Sequence, residues 1–557
     1  MRLLASLLAL TIVAGCLSSG PAPTTPASGT EALGDGPALA TDLKGTLGNG
    51  YEVPLASGAL LRADDTSTGN VPVDPTLHRL SVWLNATDPG IAMLRDAQGH
   101  LMCAARSGRV CSAPINVTQP EQWPLSVYSL APRGGDFDAH VALYHGIPVP
   151  KPDGLPAGDL AVARSSLDGG EPTLAWTKDG SLLIASGSGV AKLDPQGAVF
   201  TDATPPVDAA AQQTLDPFLY GDPVTGRIYV TQLASCMRLS WTDDGGSTWT
   251  TNPLTCGGPD QHHQKVTTGP GPLGRTVHIA TMNLASWLTT NDVVIFHSQS
   301  LDGGVAWTES PAMTKQTAGM EARAVGNIAV LDDGTIAIIA YLCDKFVDAA
   351  YNGVAVGRST DRGATWTWTR IAPGGGRCEG IDPGIAAAGN ALYASWEDLS
   401  AGTGHVWWSS SGDGGATWGK PRQIPTGNLG SMVFTDATAS KGRLAAAFLG
   451  TADTTLGPTQ APGWAHWYPY LASLDLTHPN ATWQVVRLQE DPVQVGPICM
   501  DGPLCLDGAR NLLDFVDVQL DAKDRAAVAY ADGCEKDCVV SWQSRGAELR
   551  VATEPAA

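Results

Sequence analysis

The sequence predicts an all-β chain, and three observations predict it. The 557 residues hold 64 Gly, 39 Pro and 17 Trp within 43% hydrophobic and 16% charged content, a composition of short strands and tight turns in a folded chain. No long stripe of helical period occurs, whereas apolar runs of strand length recur between turn residues. One eight-residue phrase of turn chemistry ending in tryptophan appears four times, which marks a repeated supersecondary unit, stacked or circular. The length exceeds one ordinary core, so more than one folded part is expected.

In chain order, residues 1–15 carry one positive charge, Arg2, then an apolar run from Leu3 to Val13. This is the pattern of an export signal, too short for a permanent span. The last residues before and including Cys16, "VAGC", resemble the lipobox of prokaryotic lipoproteins, which implies acylation of Cys16 and anchoring at the cell surface. An ordinary signal with a chance cysteine is the alternative. Residues 16–44 are small, Pro-rich and Thr-rich, and are expected to form a flexible tether. A single acyl chain holds a membrane only marginally, so stable anchoring requires more than one.

Residues 45–146 contain "HRLSVWLNA", "IAMLRDAQGHLMCAA", "WPLSVYSLA" and "DAHVALYHG". Their alternation predicts a small β-sandwich, and the pattern resembles the jelly-roll sandwiches appended to secreted peptidases and glycosidases. A Pro-rich linker follows at 147–159, leaving 160–557 for the repeat region.

The repeated phrase reads "TDDGGSTW" at 242–249, "SLDGGVAW" at 300–307, "STDRGATW" at 359–366 and "SGDGGATW" at 411–418. Its aspartates, Asp244, Asp302, Asp361 and Asp413, lie 58, 59 and 52 residues apart, and its tryptophans are Trp249, Trp307, Trp366 and Trp418. An aspartate can accept hydrogen bonds from its own turn, glycine supplies a positive φ, and tryptophan packs beneath, so the role expected of the phrase is structural. "SLDGG" at 166–170 is a degenerate fifth trace. The phrase resembles the Asp-box, or BNR repeat, of sialidase-like β-propellers, departing from it at Ala306, which stands in the threonine position.

That resemblance implies a β-propeller with the boxes on outer hairpins, away from the active face. Seven apolar hairpin pairs begin near Thr173, Phe218, Lys265, Asn327, Gly384, Met432 and Phe515, which predicts seven blades; sialidases usually have six, and six remains the alternative. Circular closure would leave few free sheet edges.

Eleven cysteines in an exported chain leave one over, and lipidation of Cys16 accounts for it. The remaining ten fall into neighbouring couples: Cys103 with Cys111, Cys236 with Cys256, Cys343 with Cys378, Cys499 with Cys505, and Cys534 with Cys538. Five local disulfides need the fewest assumptions, while zinc-ligand spacing is absent. Four of the five couples fall in turns and connections expected opposite the boxes, where they would restrain a binding face.

The connections leading into the inner strands hold His262 and His263, Glu321 and Arg323, Arg377, Glu379 and Asp382, and Arg510 and Asp514. Sialidase-type chemistry implies three arginines on a substrate carboxylate, a tyrosine activated by a glutamate, and an aspartate acid/base. Arg323, Arg377 and Arg510 are the candidate clamp, with Glu321, Glu379 and Asp382 as candidate acids; planar guanidinium forks suit a carboxylate. A solvated ring of paired charges is the rival reading. The chain lacks the Arg-Ile-Pro motif of the first sialidase blade, since "RQIP" at 422–425 follows a box, and no tyrosine nucleophile is assignable by motif. The cluster Trp464, Trp467, Tyr468 and Tyr470 would suit stacking on sugar rings or a partner protein, or packing against the sixth blade.

A formal charge of −21, made more negative by loss of Arg2, argues against nucleic acid. No EF-hand, HExxH, GxSxG or P-loop pattern occurs, so no metal, calcium or other cofactor is indicated. Two function classes result: a monomeric surface-anchored protein binding an extracellular glycan or protein, with the membrane met only through its lipid, or an exo-glycosidase of sialidase type.

Overall fold

The computed structural model describes residues 39–46, 51–54, 60–63, 66–86, 90–107, 109–129, 136–145, 149–194, 199–206, 215–233, 236–256, 261–283, 293–343, 351–374, 382–398, 404–500, 505, 510–534, 538 and 546–555. Cys16, the leader, Arg377, Glu379 and Cys378 lie outside these residues, as does the side chain of His262.

The chain is all-β and antiparallel. Two four-stranded sheets come first. One orders its strands Leu39–Thr46, Asp136–Tyr144, Arg79–Ala86, Arg109–Pro114, and the other Thr66–Val73, Glu121–Ser129, Gly90–Arg95, Leu101–Arg106. They share one apolar core, in which Val71, Leu80, Val82, Leu94, Trp123, Leu125 and Val141 are buried. Strict alternation produces this: Glu121–Ser129 buries every second residue from Trp123 onward. Leu39–Thr46 pairs with Asp136–Tyr144 and belongs to this part, so the expected tether ends earlier than residue 44.

Seven further sheets follow, and each begins with one of the apolar hairpins read from the sequence. Their first strands are Thr173–Trp176, Leu215–Gly221, Gln261–Gly271, Ala322–Val330, Gly384–Ala388, Ser431–Ala439 and Asp517–Leu520. Strands within the first six sheets pair in chain order. In the seventh, Asp517–Leu520 and Ala526–Asp532 are followed by Glu548–Thr553, and the last place is taken by Ala161–Asp168 from the start of this region. Each first strand touches the next sheet's first strand, and Thr173–Trp176 also touches Asp517–Leu520. Seven apolar clusters lie between successive sheets, the seventh and first included. Second strands such as Ile336–Cys343 are buried along their whole length, which is why they read as continuous apolar runs. Inner strands approach closely: a Cβ on Gly326 would stand 1.9 Å from the Pro383 carbonyl oxygen.

All four repeated phrases form the hairpin between third and fourth strands, in the second to fifth sheets. Asp361 Oδ1 accepts from the Thr365 amide at 2.9 Å and the Ser359 hydroxyl at 2.8 Å, and Oδ2 accepts from the Thr365 hydroxyl at 2.6 Å. Asp244 and Asp413 repeat the pattern. Asp302 keeps the amide and serine bonds but has no hydroxyl at position 306. The indoles of Trp307 and Trp366 donate back to Gly304 and Gly363, and Trp249 to Ala203 of the preceding sheet. The third position of the turn is left-handed in all four, with φ of 67°, 79° and 67° at Gly245, Gly303 and Gly414, and 60° at Arg362. "SLDGG" at 166–170 is no such hairpin; it ends Ala161–Asp168 and leads into the first sheet.

The Pro-rich segment at 147–159 is not a free linker where described. Its residues lie along the outer edge of the sixth sheet, where Arg487 N donates to the Pro156 carbonyl (2.9 Å) and Gly158 N to the Arg487 carbonyl (2.8 Å). Asp153 accepts from the Tyr470 hydroxyl at 2.8 Å.

Hydroxyl bonds hold Asp244, Asp361 and Asp413 down to about 2, the threonine hydroxyl acting most strongly. A depressed carboxyl stabilises above its ordinary titration range, and that stabilisation disappears as pH falls toward about 2. Thr365→Ala is therefore expected to lower the thermal midpoint, and Ala306→Thr to raise it, each by roughly 1–2 °C. Asp361→Asn should flatten the acid limb of stability below about pH 4. Calorimetry between pH 2 and 7 checks both.

Candidate functional site

Antiparallel order brings the starts of all first strands, the turns after second strands and the connections between sheets to one end of the repeat region, opposite the Trp-ended hairpins. At this end the backbone takes unusual conformations. Among the described residues, six of the eight non-glycine residues with positive φ lie within or just before first strands: Glu171 (56°), Asp216 (47°), His263 (52°), Asp382 (57°), Phe434 (62°) and Leu513 (60°). Left-handed backbone is costly for such residues and persists where surroundings over-determine it. Glu171, Asp216 and Asp382 also precede prolines, which further disfavours a helical backbone region.

Carboxylates supply the over-determination. Glu171 Oε2 accepts from the Asp216 amide (3.2 Å), and Asp216 Oδ2 accepts from the His263 amide (3.3 Å). Glu397 Oε2 accepts from the Thr435 amide (3.3 Å), Asp436 Oδ2 from the Val518 amide (3.1 Å), and Asp517 Oδ2 from the Leu174 amide (2.7 Å). Each bond joins one sheet to the next. Other bonds between strand starts join more distant sheets: Asp382 takes His263 Nδ1 and Lys265 Nζ, both at 2.9 Å, and Asp436 Oδ1 takes Asn327 Nδ2 at 2.6 Å.

Burial would push the His263 imidazole down, but the charges of Asp382 and Asp216 outweigh it and raise it to about 9. Asp382 is the complement: burial opposes its charge, and His263 and Lys265 nevertheless hold it below the usual carboxylate range. Lys265 is 2% exposed, with its ammonium 4.0 Å from the Phe515 ring centre and 4.8 Å from that of Phe218. Burial, then Asp216 and Asp514, drive Glu171 well above its ordinary value, and burial with Asp517 does the same to Asp436.

The structure brings His263, Asp382, Arg510 and Asp514 into this web. Arg510 is gripped by both oxygens of Asp514, and buried Arg323 donates to the Met500 carbonyl at 3.3 Å. Glu321 pairs with Lys315 on the surface. The Tyr341 hydroxyl bonds the backbone of Glu397, donating to its carbonyl and accepting from its amide. The web includes acids that motif reading passed over, Glu171, Asp216, Glu397, Asp436 and Asp517, and the cation Lys265. A signal existed for two of them, as for Asp382: an acid followed by proline at the head of an inner apolar run.

The aromatic cluster is corrected. Trp464, Trp467, Tyr468 and Tyr470 are 3%, 0%, 9% and 0% exposed, so their faces are covered and offer no stacking platform. Trp467 donates to the Gly496 carbonyl at 2.8 Å, Tyr470 stacks on Phe448, and Trp464 packs with Ala142 and Tyr144 of the first two sheets.

Disulfides join Cys103–Cys111, Cys499–Cys505 and Cys534–Cys538, the last two at this end of the repeat region. Cys236 is in register with Cys256, and Cys343 is disulfide-bonded. Among the described residues no group of three or more metal-ligating side chains occurs, and no helix is long and apolar enough to cross a membrane.

No family model and no curated protein matches the chain. Among solved structures, it is similar to a PL25 ulvan lyase (10% identity, 52% of this chain and 79% of that chain, TM-score 0.38). It is also similar to a mutant of the NanB sialidase of Streptococcus pneumoniae (10%, 92% and 99%, 0.33) and to the Trypanosoma rangeli sialidase with sialic acid (10%, 71% and 59%, 0.36). Likenesses of this size leave activity and ligand open.

Removing one partner of a buried charge cluster strands the others. Asp382→Ala is expected to destabilise the protein by about 3–5 kcal/mol, measured by urea unfolding, with Asp382→Asn intermediate.

Proposed function

We propose that the seven sheets close as a seven-bladed β-propeller, preceded by a jelly-roll sandwich, and that the protein is a surface-anchored lipoprotein binding an extracellular glycan or protein on its disulfide-rich face. Closure is supported by the cyclic contacts of the first strands and by Ala161–Asp168 completing the last sheet beside Glu548–Thr553. The jelly roll is supported by the strand order of the first two sheets, two interlocked Greek keys. Export and anchoring rest on the leader and Cys16.

One observation favours binding over sialoside hydrolysis: both described arginines of the expected carboxylate clamp, Arg323 and Arg510, are already engaged. Arg510 spends its fork on Asp514, and Arg323 is buried against a carbonyl. A guanidinium already in a bidentate ion pair has two of its five N–H donors and much of its charge committed, so it holds a second carboxylate less strongly.

The hydrolase alternative draws on a different observation. Burial and neighbouring acids raise the Glu171 and Asp436 carboxyls well above their ordinary range, the direction a general acid requires.

Purified protein is expected to retain ligands from an array of surface glycans and extracellular proteins, while releasing no aglycone from a panel of fluorogenic sialosides and other glycosides. Turnover that disappears in Glu171→Gln would establish the hydrolase instead. Cys16→Ser is expected to move the protein from the membrane fraction to the soluble fraction, read by fractionation and blotting.

A further inference from the structure

We propose that Asn116 and Asn480 are N-glycosylation sites, each receiving an oligosaccharide from a lipid-linked donor outside the cell membrane, and that Asn85, which stands in the same sequence pattern, is left unmodified. The proposal rests on the export proposed above and not on the binding reading.

Three asparagines are followed two places on by threonine with no proline between: "NAT" at 85–87, "NVT" at 116–118 and "NAT" at 480–482. This is the acceptor pattern for N-linked glycans in chains that leave the cytosol. The pattern treats the three alike; the fold separates them.

Asn480 is presented at a tip. It lies between the third and fourth strands of the sixth sheet, His466–Asp475 and Gln484–Arg487, the place that the Trp-ended phrase occupies in the second to fifth sheets. Residues 478–481 form a β-turn closed by Ala481 N donating to the His478 carbonyl at 3.1 Å, with Pro479 and Asn480 at its centre. Proline at the second place of such a turn pre-sets its φ. The turn is held from both sides. Before it, Asp475 accepts from the Thr477 amide (2.8 Å) and hydroxyl (2.6 Å) and pairs with His478 Nδ1 (2.6 Å). After it, Trp483 meets Trp408 edge-on, with ring centres 5.4 Å apart. Between these anchors Asn480 and Thr482 are exposed, and among the described residues no hydrogen bond engages either side chain.

Asn116 has the same freedom in the first two sheets. The segment 115–120 joins Arg109–Pro114 to Glu121–Ser129 outside any strand, Ile115 N is fixed on the His78 carbonyl at 2.9 Å, and Asn116 and Thr118 are exposed. Asn85 differs. It belongs to Arg79–Ala86, an inner strand of its sheet, where it is half-buried and in register with Asp138. A transferase has to draw the asparagine away from its surroundings to reach the amide nitrogen, which costs ladder hydrogen bonds at Asn85 and none at the other two.

The transfer balances without an oxidant or reductant. The asparagine amide nitrogen attacks the anomeric carbon of a lipid-phosphate-linked oligosaccharide. A C–N bond forms, the C–O bond between sugar and phosphate breaks, and the lipid phosphate leaves with that electron pair and takes up the proton lost from nitrogen. A glycan on Asn480 stands at the end of the repeat region that carries the Trp-ended hairpins, so it leaves the disulfide-rich face uncovered.

Glycopeptide mass spectrometry of the protein purified from the cells that produce it reads each site. Peptides holding Asn116 and Asn480 are expected to be heavier by one oligosaccharide each, and the peptide holding Asn85 to have its unmodified mass. Asn480→Gln is expected to lower the intact mass by one oligosaccharide, and Asn116→Gln by another. Thr482→Ala is expected to match Asn480→Gln although the asparagine remains, which a structural role of Asn480 would not produce. Should a variant fail to fold, the unsubstituted protein decides: an unmodified Asn116 or Asn480, or a glycan on Asn85, overturns the proposal. Unmodified asparagines in protein recovered at the cell surface refute glycosylation alone, whereas unmodified asparagines in protein retained in the cytosol with its leader attached refute it together with export.

Discussion

The fold depends on a bond type used five times among the described residues: a buried carboxyl of one sheet accepting a backbone amide of the next sheet's first strand. Glu171, Asp216, Glu397, Asp436 and Asp517 each make it. Apolar clusters hold neighbouring sheets together but are tolerant of sliding, because dispersion and burial have little direction. A carboxylate aimed at one amide has direction, so these bonds set the angle and height of the five first strands they reach. The tightest contacts of the region, such as Gly326 against Pro383, are tolerable only if that placement is fixed.

Concentrating acids at the strand starts of an acidic chain creates a repulsion that has to be offset locally. Asp382 sits between His263 and Lys265, and Asp514 holds Arg510, while burial and neighbouring acids raise the Glu171 and Asp436 carboxyls well above their ordinary range. Among the described residues, His263, Lys265 and Arg510 are thereby paired with acids, so an approaching anionic ligand meets little uncompensated charge from these three.

Much of this architecture was legible because periodicity records it directly. The seven apolar hairpins and the four turn phrases each state a local structure in local residues, and all occupy the expected places within their sheets. The inner web was less legible because its members lie far apart in sequence: Leu174 and Asp517 are 343 residues apart. Arg510 and Asp382 were found by their charge, but Lys265 sat unremarked inside a strand run. Trp464 and its neighbours left stacking and packing both open for a related reason. An aromatic-rich insertion looks the same in sequence whether it faces solvent or another part of the chain, and here Ala142 and Tyr144 cover it.

That covering has a consequence for the face itself. The first two sheets meet the insertion of the sixth sheet through Trp464, while a Cβ on Gly463 would stand 2.1 Å from the Ser112 hydroxyl, so only glycine permits this approach. The segment from Lys151 to Gly158 is fastened along the same sheet by Asp453, Tyr470 and Arg487. Both attachments fall on the sixth sheet, whose first strand carries Asp436. The sixth sheet therefore carries Asp436 at its first strand and both attachments at its edge and insertion, while Glu171 and Asp216 stand on sheets the first two do not touch through this apolar contact.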